Sequence, residues 1–163
     1  MFYLDLFREL EAKKVRYLLV GGIAMNLHGV PRMTMDVDIV LAMDEDNLLA
    51  FLGAADDLGL KPVAPVKKED LLNPLMRKSW VTEKHMVAFA LRPPAPMGPT
   101  VDILIDPPIA IDEALKRAEI KIIDGVRVSL ATVEDMISLK RSTGRTQDDA
   151  DIEQLNKLIK RRK

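Results

Sequence analysis

The 163-residue chain contains no cysteine. Disulfides, thiolate nucleophiles and cysteine-bound metals are therefore excluded. Histidine is scarce, with His28 and His85 the only two. A histidine-rich transition-metal site is not expected, and any bound cation should prefer oxygen ligands. Mg²⁺ is the hard ion that suits carboxylates and phosphates. Aromatic residues make up 4% of the chain, which disfavours a nucleic-acid-binding module built on stacking. No run approaches the roughly 18 uninterrupted apolar residues of a membrane helix. The opening MFYLDLFREL carries acids where a secretory signal needs an apolar core, so a cytoplasmic location without membrane contact is expected. Neither charge sign dominates. A formal net charge of −1 argues against polyanion binding by bulk charge.

What remains is ordinary globular material, 48% hydrophobic and 30% charged, and it suffices for one domain with a real core. Leu4, Leu6, Phe7 and Leu10 form a helical stripe continuing to about Lys14. Val15 to Val20 reads as a buried strand running into Gly21-Gly22. Ile23 to His28 reads as a short helix, and Thr34 to Leu41 as a second strand. Asp44 is placed to cap a helix carrying Leu48, Leu49, Phe51, Leu52 and Leu58. A helix near Lys67 to Trp80 is interrupted or started by Pro74. Met86 to Leu91 and Val101 to Ile105 read as strands on either side of an exposed, Pro-rich loop, Arg92 to Pro99. A short helix over Asp112 to Ala118 precedes Ile120–Ile123 and Val126–Leu130, which flank the hairpin signal Asp124-Gly125. Thr132, with Asp135 as a capping-box variant, starts a helix, and a last helix runs from about Asp148 to Lys160. The expectation is an α/β fold in a single domain, 1–163. A mixed central sheet of about 4–5 strands lies in a core over 15–130, with a C-terminal helical segment over 131–163.

The most informative feature is Asp36-Val37-Asp38. Side chains alternate along a strand, so Asp36 and Asp38 share a face while Val37 and Ile39 turn to the core. Paired carboxylates repel, and a divalent cation is the simplest remedy. Asp102 is a lone acid inside the aliphatic run Val101–Ile105. If that strand lies beside the Asp36/Asp38 strand, three carboxylates converge and can hold one or two Mg²⁺ ions (or Mn²⁺) on a triphosphate. Gly21-Gly22, at a strand end opening a helix, permits close backbone approach to phosphate.

Taken together, Gly-Gly followed by Arg32-x-Thr34-x-Asp36-x-Asp38 and a later acid resembles the DNA polymerase β-like nucleotidyltransferase superfamily. The stretch Val20 to Gly29, followed by Arg32 to Asp38, resembles the prokaryotic minimal nucleotidyltransferases, including the AbiEii-type toxin group. Thr132 to Lys140, then Gly144-Arg145-x-x-Asp148, resembles that group's C-terminal helices. The resemblance covers about residues 15–155 and implies the nucleotidyltransferase fold. It implies that Asp36, Asp38 and Asp102 bind metal, with Asp102 as third ligand or general base. Gly21 and Gly22 would cradle phosphates, and Arg32 and Lys140 would touch phosphate, with Arg145 a weaker candidate. The implied reaction moves a nucleoside monophosphate from an NTP to a hydroxyl of RNA, protein or a small molecule. A cognate protein partner in a toxin–antitoxin or defence pair is implied as well. Many members carry Gly-Ser where this chain has Gly21-Gly22, which removes one phosphate-contacting hydroxyl.

Plainer readings stand beside these. Asp36 and Asp38 could be an exposed edge, and Asp102 a strand-end acid. Arg32 could pair with Asp36 or Asp38, Lys140 could be solvated, and Arg145 could pair with Asp148. His28 reads as structural. Trp80 and the methionines read as core or groove packing. The basic end, Lys157, Lys160, Arg161, Arg162 and Lys163, reads as a solvated helix terminus, or as a contact to RNA or an acidic partner. The alternative to an enzyme is a catalytically silent nucleotide-binding or regulatory protein of the same fold.

Overall fold

The computed structural model describes residues 2–95, 98–141 and 146–162. Its centre is a seven-stranded mixed sheet. The strands are β1 (Tyr17–Val20), β2 (Val37–Leu41), β3 (Lys61–Pro62), β4 (Ala88–Arg92), β5 (Val101–Leu104), β6 (Glu119–Ile123) and β7 (Val126–Leu130). Their spatial order is β3-β4-β5-β2-β1-β7-β6. The β2/β5 and β1/β7 pairs are parallel and the others antiparallel. The sheet is larger than the 4–5 strands expected. The β6–β7 hairpin joins the main sheet through the parallel pair Leu19↔Leu130. The two-residue β3 is too short to leave an alternating pattern.

Seven α-helices surround the sheet among the described residues: α1 (Phe2–Ala12), α2 (Gly21–Leu27), α3 (Glu45–Asp57), α4 (Pro74–Thr82), α5 (Ile111–Arg117), α6 (Val133–Arg141) and α7 (Thr146–Arg161). The α1 stripe buries Leu6, Phe7 and Leu10 and packs against β7 and α3. Asp44 caps α3, accepting the Asn47 N–H at 3.2 Å. Thr132 Oγ1 accepts the Asp135 N–H at 3.1 Å at the start of α6. Both contacts satisfy donors that a helix start leaves orphaned. The stretch 67–80 divides at Asn73 into a 3₁₀ turn, Lys68–Leu72, and α4, with Pro74 at the first helical position. Asp124 and Gly125 have φ of 49° and 78°, both positive, as a type I′ hairpin turn requires.

Every residue of β1 is buried, and so are Val37, Ile39, Val101 and Ile103. Both faces of β1 are therefore covered, while Val37, Ile39, Val101 and Ile103 form the core side of β2 and β5. Trp80 is fully buried and stacks on Phe89, with ring centroids 5.1 Å apart. Its expected packing role is met, although its buried Nε1–H has no hydrogen-bond partner among the described residues, which offsets part of the gain from burying the ring. The methionines divide: Met25 is buried, but Met33 and Met35 are exposed, against the packing expectation. Both stand in the irregular segment 31–36, which has no strand partner. The Pro-rich loop is not uniformly exposed, since Pro93 is buried. No helix among the described residues is long and apolar enough to cross a membrane.

Candidate active site

Strand order brings the acids together. β2 and β5 are parallel neighbours, and Asp38 lies directly beside Asp102 in their register. The expected strand at Thr34 begins only at Val37, whose N–H donates to the Thr100 carbonyl at 2.9 Å. Asp36 therefore stands at the lip of the strand rather than inside it. Its Oδ1 accepts the Thr100 N–H at 3.0 Å. The Thr100 hydroxyl donates to Asp102 Oδ1, also at 3.0 Å. One residue thus tethers two of the three acids.

The electrostatics follow from this crowding. Burial, then the Asp102 carboxylate beside it, pushes the Asp38 carboxyl up to about 7. Asp36 adds to the rise and Lys140 opposes it. Asp102 is also raised, chiefly by burial, while its hydrogen bonds from Thr100 and Asp38 pull it back. Burial and repulsion between carboxylates thus hold both carboxyls of the pair above the ordinary carboxylate range. A divalent cation would relieve the same repulsion. Mg²⁺ is commonly held by one or two carboxylates, with substrate phosphates and water completing its shell. Asp38 and Asp102 fit that donor set. Among the described residues, no group of three or more acidic or histidine side chains is arranged to hold a metal by itself.

Gly21 and Gly22 open α2 immediately beyond β1. Val20 pairs with Asp38 across the β1/β2 ladder, so Gly21 lies against that carboxylate. Gly21 has φ +74, and a Cβ there would overlap Asp38 Oδ2 and lie 2.8 Å from its Cγ. Only glycine fits both the backbone and the space. At Gly22 an added Cβ would meet the Thr34 side chain, 2.8 Å from its Oγ1. Thr34 therefore fills the volume that a larger residue at 22 would need.

Arg32 and Lys140 both line the cleft that contains Gly21, Gly22, Asp38 and Asp102. The cleft has a volume of about 870 Å³, within the size range of small-molecule sites. Its apolar wall includes Val87, Leu104, Pro107, Pro108 and Met136. Arg32 does not pair with Asp36 or Asp38 as weighed from sequence; its guanidinium binds Asp151 on α7. Lys140 is not simply solvated. Its Nζ lies 2.9 Å from Asp151 Oδ2 and 3.5 Å from Asp148 Oδ1. Asp148 and Asp151 were missed from sequence as members of this cluster. Their spacing of three residues on a helix was the available signal. Arg145 and Lys163 lie outside the described residues. His28 closes α2, with Nε2 2.8 Å from the Ala131 carbonyl oxygen, a structural placement. In the basic end, Lys157 pairs with Glu153 and Arg162 with Glu134, at an exposed surface.

No family model and no curated protein matches this sequence. Solved structures do match in shape. A Thermotoga maritima protein provisionally assigned as a nucleotidyltransferase superposes with a TM-score of 0.58 at 14% identity, over 98% of this chain and 91% of that one. An antigenic nucleotidyltransferase-like protein from Paracoccidioides brasiliensis gives 0.52 at 19% identity, over 97% and 74%. ANT(2″)-Ia, solved with adenylyl-2″-tobramycin, gives 0.54 at 13% identity, over 96% and 92%. Similarity at these identities resides in the fold, and on that ground the chain has the nucleotidyltransferase fold.

Proposed function

We propose that this protein is a metal-dependent nucleotidyltransferase that moves a nucleoside monophosphate from an NTP to a hydroxyl acceptor and releases pyrophosphate. The observation that carries the reading is the side-by-side Asp38/Asp102 pair at a glycine-lined cleft edged by Arg32 and Lys140. Asp38 and Asp102 would hold Mg²⁺ or Mn²⁺, with Asp36 joining from the strand lip. When bound, the cation supplies charge neutralisation at the triphosphate and lowers the pKa of a coordinated hydroxyl. Gly21 and Gly22 let the triphosphate approach the backbone, and Arg32 and Lys140 offset its negative charge. Asp102, at the same cleft, would accept the acceptor's proton.

The acceptor is RNA, a protein side chain or a small molecule. The neighbour solved with adenylylated tobramycin makes a small hydroxylated molecule a concrete member of that set. A role in a toxin–antitoxin or defence pair, with a cognate partner, is part of the same proposal. It rests on the AbiEii-type resemblance of Val20 to Asp38.

The test is label transfer from each α-³²P NTP, with Mg²⁺ or Mn²⁺, into fractionated host lysate and into aminoglycosides. Asp38→Asn protein is the control. Label that requires both metal and Asp38 supports the reading, and the labelled fraction names the acceptor. Metal-dependent NTP binding without transfer to any fraction would favour the silent nucleotide-binding alternative. Absence of both would overturn the proposal.

A further inference from the structure

Arg32 and Lys140 come from opposite ends of the chain, yet both reach one carboxylate. Asp151 Oδ2 accepts from Lys140 Nζ at 2.9 Å and from Arg32 Nη1. Asp151 is 5% exposed at its side chain, against 29% for Arg32 and 12% for Lys140. Both cations line the cleft, and Asp151 does not. The carboxylate thus lies behind and the cations in front.

An arginine and a lysine brought this close repel each other, and each has a long side chain with many rotamers. A buried anion between them removes the repulsion and fixes both head groups at one separation. Binding a polyanion then requires little further ordering, which is the general origin of preorganised affinity. Asp148, which lines the cleft itself, contributes a second and longer contact to Lys140 at 3.5 Å, so Asp151 is the carboxylate that both cations share from behind.

We infer that Asp151 is a positioning residue for nucleotide. Through Arg32 and Lys140 it sets the spacing of the charges that receive the NTP polyphosphate. This inference rests on the nucleotidyltransferase reading above. The competing explanation is that Asp151 only fastens α7 to the body of the protein, where Leu155 is buried one helical turn further on.

The experiment measures the dissociation constant of Mg²⁺ complexes of α,β-methylene ATP, CTP, GTP and UTP, with each variant's melting curve recorded in parallel. Asp151→Asn should weaken binding of the preferred nucleotide by about 10-fold or more, the scale typical of lost outer-sphere support. Asp151→Glu should fall between wild type and Asn. Leu155→Val, which loosens α7 without touching the cations, should lower the melting temperature and leave affinity at the wild-type value. In the Arg32→Ala background the effect of Asp151→Asn should shrink, because the two residues act through one contact. Wild-type affinity in Asp151→Asn, or full additivity with Arg32→Ala, would overturn the inference. If Asp151→Asn does not fold, wild-type affinity in a folded Asp151→Glu protein would overturn it instead. Wild-type protein that binds none of the nucleotides would overturn the underlying nucleotidyltransferase reading, a result distinct from an unaffected variant.

Discussion

Replacing Gly21 by alanine should destabilise the fold and silence transfer, for two separable reasons. At φ +74 an L-residue costs about 1–2 kcal/mol of backbone strain. The new methyl would also overlap the Asp38 carboxylate, 2.8 Å from Cγ and 2.9 Å from Cβ. The β1/β2 ladder pairs Val20 with Asp38, so the backbones cannot separate freely. The Asp38 side chain must turn off its rotamer, at about 1 kcal/mol. The sum is roughly 2–3 kcal/mol. In a chain of this size that lowers the melting temperature by roughly 4–12 °C. Gly125 provides the matched control. Its φ is +78 and nothing lies within 4 Å of its added Cβ. Gly125→Ala should cost the backbone strain alone, about 1–2 kcal/mol, and keep full transfer activity. Calorimetry and α-³²P label transfer on the two variants separate strain from site damage. Unimpaired transfer by Gly21→Ala would refute the reasoning, because Asp38 would then not need its observed position. Equal loss in both variants would refute it too, because strain rather than contact would be the cause.

Two further outcomes follow from the carboxylates. The folded state raises Asp38 from its ordinary 3.8 to about 7, so it binds a proton that the unfolded chain releases. Stability of the metal-free protein should therefore fall as pH rises from about 4 to 7 and level off above. Asp38→Asn should flatten that slope, and Mg²⁺ should raise the melting temperature more at pH 8 than at pH 5. Urea titrations across pH would check this, and an unchanged slope in Asp38→Asn would count against it. Thr100→Val keeps the N–H donated to Asp36 and removes the hydroxyl donated to Asp102. Losing a hydrogen bond to a charged group costs about 1.5–3 kcal/mol, so kcat should drop by about 10-fold or more. The acid limb of the pH–rate profile should move upward, since that hydrogen bond lowers the Asp102 pKa. Thr100→Ser should recover both, and an unmoved limb would show that the hydroxyl does not orient Asp102.

How much of this was legible in the sequence depends on the distance over which each contact acts. The Asp124-Gly125 turn, the Asp44 cap and the Thr132 cap are local, and the sequence alone predicts each of them. The alternation at Val37-Asp38-Ile39 placed the valine and isoleucine in the core because period-two patterning survives without knowledge of the partner strand. From sequence the juxtaposition of Asp38 and Asp102 is only conditional. It depends on strand order, and a pairing across 64 residues leaves no periodic trace. The strand start at Val37 rather than Thr34 was likewise set by its partner, the Thr100 carbonyl. For Arg32 the sequence offers only nearby acids, Asp36 and Asp38, as ion-pair alternatives to a phosphate contact, whereas its partner Asp151 is 119 residues away.

That long-range pair also bears on which part of the chain makes the site. The acids and glycines belong to the central strands β2 and β5 and to the start of α2. The cationic side depends on α6 and α7, because Lys140 sits near the end of α6 and Asp148 and Asp151 lie on α7. A core ending at Leu130 would keep the carboxylate pair and lose Lys140, the cation that opposes the rise in the Asp38 pKa. It would also release Arg32 from its buried partner. Lys140 would go together with the carboxylates of Asp148 and Asp151, so the loss is of a fixed arrangement of charges and not of net positive charge. The C-terminal helices are thus not an appendage to a finished site. They carry Lys140 and anchor Arg32 at the edge of the cleft that holds the two crowded carboxylates.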